Sequence, residues 1–212
     1  MKKLLSLVVV LISCTVFAET TPVMLSLLTP VQWPDKDVDV RGLRLSLLYG
    51  ECDNFKGLDI GLINRTNGDF SGLAIGGGNI VDGTIHGVQL GLVNWNQNGN
   101  VVWSKRSIGA QVGIVNFADT FCGIQDGFVN VAGNKVTGVQ WGFFNSVNDL
   151  DGLQCGYWLI LGVNMAYGDV TGCQIGIVNY ANTMVKGLQI GLVNIIANNG
   201  WMPVLPIING NF

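Results

Sequence analysis

The 212-residue sequence predicts an all-β protein, a β-solenoid of about 11 fifteen-residue coils. Three observations carry that expectation. An eight-residue motif, G-h-Q-h-G-h-h-N with h apolar, returns along the chain at nearly constant spacing. Inside each copy the apolar residues alternate with period two, which is the period of a strand and not of a helix. Thirty glycines and a charged fraction of only 12% leave little of the roughly 25% charge found in ordinary globular domains.

Taken in chain order, residues 1–18 read as an export leader. Lys2 and Lys3 supply the positive start, Leu4 to Ile12 an apolar stretch interrupted by Ser6, and Val16-Phe17-Ala18 a cleavage site before Glu19. A second reading lies in the same segment: Leu11-Ile12-Ser13-Cys14 resembles a lipoprotein box that would anchor the chain through a lipidated Cys14. Both readings predict export to the cell envelope, at the outer membrane or the surface. Loss of Lys2 and Lys3 takes the formal charge from −3 to −5. The basic footprint of a nucleic-acid binder is absent.

Residues 19–41 form an N-terminal cap or first strand, 42–209 the repeat domain and 210–212 the C-terminal end. Copies of the motif begin at Gly42, Gly57, Gly72, Gly87, Gly109, Gly123, Gly138, Gly152, Gly172 and Gly187. Successive spacings are 15, 15, 15, 22, 14, 15, 14, 20 and 15. Gln holds the third position in seven copies, Gly the fifth in nine and Asn the eighth in eight. Met202 to Asn209 is a decayed eleventh copy. Turn residues join the copies at Thr66-Asn67-Gly68-Asp69, Ala132-Gly133-Asn134 and Tyr167-Gly168-Asp169.

In the last full copy Leu188, Ile190 and Leu192 fall on one face, and Gln189, Gly191 and Val193 on the other. Phe70, Ile85, Phe121, Val136, Leu150, Val170 and Val185, each two residues before a motif, are placed to pack onto that apolar face. Stacked at about 4.8 Å, Gln and Asn would form amide ladders, and the glycines would sit at corners where φ is positive. The expectation is a polar Gln/Asn face presented to a partner.

An alternative fits the same repeats: a 12-stranded up-and-down outer-membrane β-barrel, with Pro22 to Pro30 as an extra strand. The long links Pro30–Arg41, Trp95–Ile108 and the one within Leu159–Gly168 all follow odd-numbered strands, and the chain ends on aromatic Phe212. Against it, three alternate apolar residues cover roughly 15 Å of the ~25 Å apolar band a barrel needs. The solenoid is the favoured reading.

The tandem blocks, such as Gly187-Leu-Gln-Ile-Gly-Leu-Val-Asn194, resemble those of a secreted bacterial family of surface-repeat proteins of unknown function. So do the opening blocks Gly42 to Gly50 and Gly57 to Asn64, and the closing Pro203 to Asn209. The resemblance covers roughly residues 22 to 212. It implies a surface or envelope location, and it carries over no catalytic residue.

Candidate chemistry is sparse. His86, the one histidine, has no Cys, Asp or Glu cluster beside it and reads as an exposed strand-edge residue. Cys155 and Cys173 occupy apolar slots of consecutive motifs, as small packed residues or as an inter-coil disulfide. Asp126 fills the central apolar slot of Gly123 to Asn130, where burial would require a donor or protonation, and a local bulge that turns it outward is the alternative. Trp141, in the same slot of the next copy, is one such donor. Trp95 and Trp103 bracket the link that serves best as a binding loop. Candidate binding residues are therefore Trp95, Trp103 and Asp126. No cofactor, metal or catalytic constellation is predicted, and the partner is an envelope component, a glycan or a second copy.

Overall fold

The computed structural model describes residues 20–97, 106–158 and 161–212. Their strands are β1 (Thr20–Leu28), β2 (Val31–Trp33), β3 (Asp39–Cys52), β4 (Phe55–Thr66), β5 (Phe70–Val81), β6 (Ile85–Asn96), β7 (Ser107–Trp141), β8 (Phe144–Cys155), β9 (Val163–Ile175), β10 (Val178–Asn198) and β11 (Val204–Asn211). No helix is present among the described residues. The leader, Cys14 and Trp103 lie outside them.

From β1 to β10 successive strands pair in parallel, with β3 taking β1 as its partner. Like residues stack on like: Gly57 lies opposite Gly72, Ile60 opposite Ile75 and Asn64 opposite Asn79. This is a β-solenoid, and the barrel alternative is corrected. Neighbouring barrel strands would pair antiparallel and the last would return to the first. Here the strand order is open, with β2 at one end and β11 at the other. The parity of the long links therefore had no structural cause. Only the end strands are antiparallel, β2 on β1 and β11 on β10. The decayed eleventh copy is thus a capping strand that reverses direction.

One coil shows how fifteen residues close. Along β4, Phe55, Asp59, Asn64 and Thr66 are buried while Lys56, Leu58, Ile60, Leu62 and Ile63 are exposed. The alternation slips once, at Leu62-Ile63, and two successive outward side chains mark a corner. The first glycine of every motif makes another bend. All ten have φ between +134° and +152°, and a Cβ on Gly72 would stand 2.0 Å from the Gly57 carbonyl oxygen in the coil before. The third corner is the link. There Asp39, Asn54 and Asp69 each accept, through a side-chain oxygen, the backbone N–H of the residue fifteen further on. The links expected at 132–134 and 167–169 turn without leaving the strand, as register shifts inside β7 and β9.

The interior has an apolar and a polar part. Residues two before the first glycine (Val40, Phe55, Phe70, Ile85, Phe121, Val136, Leu150 and Val170) are buried, facing those two after the Asn, such as Val81, Ala132, Val147 and Ala181. Met184 takes this slot where Val185 was expected. It pairs with Val170, while Val185 is exposed. Two apolar clusters result. Between them Ser107 Oγ donates to Asn96 Oδ1 at 2.6 Å, a polar plug beside the 22-residue spacing.

Candidate binding surface

The other part of the interior decides which face remains for binding. The Gln and Asn columns are inside, nearly all at 0% exposure. The expected outward Gln/Asn face is therefore corrected. Nine Asn residues form one ladder: each Nδ2 donates to the Oδ1 of the next coil at 2.8–3.1 Å, from Asn64 to Asn194. The second Nδ2 proton goes to a backbone carbonyl of that coil, as from Asn94 to Val112 at 2.9 Å and from Asn130 to Trp141 at 2.8 Å. Seven Gln residues form a second ladder, Gln89 to Gln189, at 2.7–2.9 Å.

The two ladders run oppositely. Asn donates towards the C-terminal end and Gln towards the N-terminal end, so the two rows of amide dipoles oppose each other. Buried amides are tolerated because each is paired, and the low local dielectric strengthens those bonds. Three of the four orphaned buried atoms among the described residues fall at ladder ends, Asn64 Oδ1, Gln89 Nε2 and Gln189 Oε1; the fourth is Ser46 Oγ. The fifth-position glycine belongs to the same design. A Cβ on Gly127 would stand 2.5 Å from Asn116 Nδ2. Asn164 is a ladder member that motif counting missed. It follows the insertion after Gly152, and only its pairing with Asn145 assigns it.

Towards the N-terminal end the Gln column changes chemistry. Arg44 and Asp59 occupy it as a buried bidentate pair, Nε to Oδ1 at 2.8 Å and Nη2 to Oδ2 at 2.5 Å. Arg44 also donates to the Arg65 carbonyl at 2.7 Å and to Cys52 Sγ at 3.0 Å, and lies over the Phe55 ring. Burial works against the Arg44 cation, but the Asp59 carboxylate outweighs it and raises its hold on the proton. Burial pushes the Cys52 thiol up to about 11. Ala74 then interrupts the column between Asp59 and Gln89.

With the amides inside, the apolar motif positions face out. The second, fourth, sixth and seventh positions carry Leu58, Ile60, Leu62 and Ile63 in one coil and Leu188, Ile190, Leu192 and Val193 in another. The sixth column is the most prominent, its exposed side chains running from Phe143 at 37% exposure to Leu192 at 70%, with Gly77 leaving a gap at the third copy. Beside the fifth-position glycines the surface is grooved. One groove of about 790 Å³ has Leu45, Leu47, Ile60 and Leu62 among its walls and Gly61 and Gly76 in its floor. Another, of about 360 Å³, lies near the C-terminal end between Ile190 and Leu192.

Asp126 is the only charged residue in these four positions of the ten copies. Its slot faces outward and is half-buried, so of the two placements the outward one is observed. Its partner is Tyr157, whose hydroxyl donates to Oδ1 at 3.2 Å, and not the Trp141 indole. Burial and the Asp126 carboxylate raise the Tyr157 phenol. Phe128, Phe143 and Tyr157 cluster beside it, the first pair tilted with centroids 4.5 Å apart and the second edge-to-face at 5.0 Å. Trp95 lies elsewhere, one residue past the Asn column, stacked on Phe117 at 4.2 Å. The structure therefore does not bring Trp95 and Asp126 into one site.

His86 is exposed on β6. Cys155 and Cys173 are free thiols, and the register sets Cys155 opposite Ile175 and Cys173 opposite Leu153. Among the described residues no three His, Cys, Asp or Glu side chains gather as a metal site would require. Comparison with family models, curated proteins and solved structures finds no match to this chain.

Proposed function

We propose that the protein is a non-enzymatic repeat scaffold of the cell envelope, and that it binds through its apolar outer face. The observation that carries this reading is the one acid, Asp126, among the outward motif positions of ten copies. Contiguous apolar surface beyond a few hundred Å² marks an interaction site. Ten coils at about 4.8 Å, each presenting six residues at about 3.3 Å, give a face of roughly 1,000 Å². The ladders serve that face by fixing every coil in register, so the columns stay straight. The leader-like residues 1–18, and the resemblance to surface-repeat proteins, support a role outside the cytoplasm.

The test is envelope fractionation of cells making the full chain, with binding of an apolar dye to the purified protein below its unfolding midpoint. We expect recovery with the envelope and saturable dye binding by the folded protein. A chain that stays in the cytoplasm, or that takes up dye only when unfolded, overturns the reading.

A second reading is confined to the Asp126 island. A carboxylate beside clustered aromatic rings can accept sugar hydroxyls while the rings cover C–H faces. Saturable oligosaccharide binding that is lost in Trp141→Ala would support it, and no binding by the unaltered protein would end it.

A further inference from the structure

The outer face is a ridge, and its shape and charge point to what covers it. In β4 and β6 the sixth and seventh positions both face outward, Leu62 with Ile63 and Leu92 with Val93. The corner they share is convex. Because the parallel register sets like on like, these corners line up along the stack for roughly 50 Å. Leu47, Leu62, Leu92, Ile114, Phe128 and Leu192 are the residues that protrude furthest along it.

Charge is arranged around the ridge by distance. The slot just before the first glycine, on the far side of that bend, holds the cations Arg41, Lys56 and Lys186, with one acid, Asp151, in the same column. Five to six strand residues, roughly 17–20 Å of chain, separate these from the ridge. The links, which hold Asp53, Asn54, Asn67, Asp69 and Asp82, form a different corner of the coil. Trp95 and Tyr180 stand two residues past the seventh position, on the other flank. An apolar edge, then aromatic and cationic flanks, then an acidic polar corner is the order in which a bilayer passes from hydrocarbon to water.

We infer that this ridge is a lipid-contacting edge: the solenoid lies along a membrane surface with its sixth- and seventh-position columns among the acyl chains. This deepens the reading of the outer face as the binding surface and rests on it. A second copy is the weaker occupant, because two convex ridges touch only along a line. A hydrocarbon layer closes around a convex edge without any matching shape. The glycine-floored groove beside the ridge, between columns about 6.6 Å apart, takes a methylene chain lying along the stack. With a net charge of −5 after loss of the leader, the protein draws nothing from anionic headgroups, so binding is apolar and insensitive to salt.

The experiment is flotation of the purified protein with phosphatidylcholine vesicles, at low salt and in 1 M NaCl, with sedimentation of the lipid-free protein beside it. The comparison protein is Leu47→Glu/Leu62→Glu/Leu92→Glu. These three side chains protrude from the coil, and circular dichroism checks that the fold persists. Leu192→Glu alone, at the most exposed ridge position, replaces the triple variant if that variant misfolds. We expect the unaltered protein to float equally at both salt concentrations, and the variant's partition to fall at least tenfold. Failure of the unaltered protein to float, or equal flotation of the variant, overturns the inference. A lipid-free dimer abolished by the same substitutions also overturns it in favour of a second copy, while leaving the outer face as the binding surface. If the substitutions change neither lipid binding nor self-association, the outer-face reading itself falls.

Discussion

Replacing Asn130 by Asp changes one NH2 group to an oxygen in the middle of the Asn ladder. Asn130 accepts from Asn116 at 2.8 Å and donates to Asn145 Oδ1 and to the Trp141 carbonyl, both at 2.8 Å. The acceptor role survives in Asp. Both donations are lost, and a carboxylate oxygen is set against two carbonyl oxygens at a site with 0% exposure. Each lost bond is worth about 1 kcal/mol net, and each stranded buried acceptor a further 1–3 kcal/mol. The expected cost is about 4–8 kcal/mol at pH 7. A proton restores one donor and removes the charge, so the carboxyl pKa is raised in the folded state and the cost shrinks as pH falls towards 4. The control is Asn194→Asp at the ladder's end, where Nδ2 donates only to the Gly191 carbonyl at 3.0 Å. Its expected cost is about 1–2 kcal/mol. Urea unfolding at pH 7 and pH 5 reads both variants. If Asn130→Asp costs no more than Asn194→Asp, or its cost is the same at both pH values, the ladder does not hold the coils as argued.

Three further outcomes follow from the N-terminal coils. Arg44→Met strands the Asp59 carboxylate and is expected to cost about 3–5 kcal/mol, whereas Arg44→Met/Asp59→Leu returns to within about 1 kcal/mol of the unaltered protein. A double variant whose loss equals the sum of the two single losses would contradict this. Ala74→Gln restores an amide to the column between Asp59 and Gln89 and gives the orphaned Gln89 Nε2 an acceptor. A gain of about 1–2 kcal/mol in urea unfolding is expected, and a loss refutes the interrupted-ladder reading. Cys52 keeps its proton to about pH 11 when folded, against a usual value of 9.0. The folded state then binds more protons than the unfolded state across that window, so stability falls as pH rises through it. The total is about 3 kcal/mol, and alkaline unfolding of Cys52→Ser should lack this share of the decline.

Much of the architecture was legible in the sequence because a solenoid turns tertiary contacts into a repeat. The ten first glycines identified by spacing are, among the described residues, the ten glycines with positive φ, since one stacked carbonyl excludes a Cβ at each of them. The ladders were legible for the same reason: one side chain in register supplies the partner for its own copy in the next coil. Asn164 escaped because an insertion moved it off the eighth position, and only strand pairing recovers its place. Link parity pointed to a barrel because loop length carries no information about whether the joined strands run parallel.

The sequence by itself determined the period, the strands, the glycine corners and the identity of the stacked columns, because these are local or repeat-to-repeat properties. It did not determine the sign of the two faces. Alternation says that Gln189 and Leu188 point opposite ways, and the usual rule that apolar residues go inside would bury the leucine. Only the closed coil decides otherwise. At Gln189 it brings the carboxamide within about 3 Å of its copy and of a backbone carbonyl, so both of its protons are paired out of water. With the amides inside, the leucines had only the surface left to occupy, and the outer face is apolar for that reason.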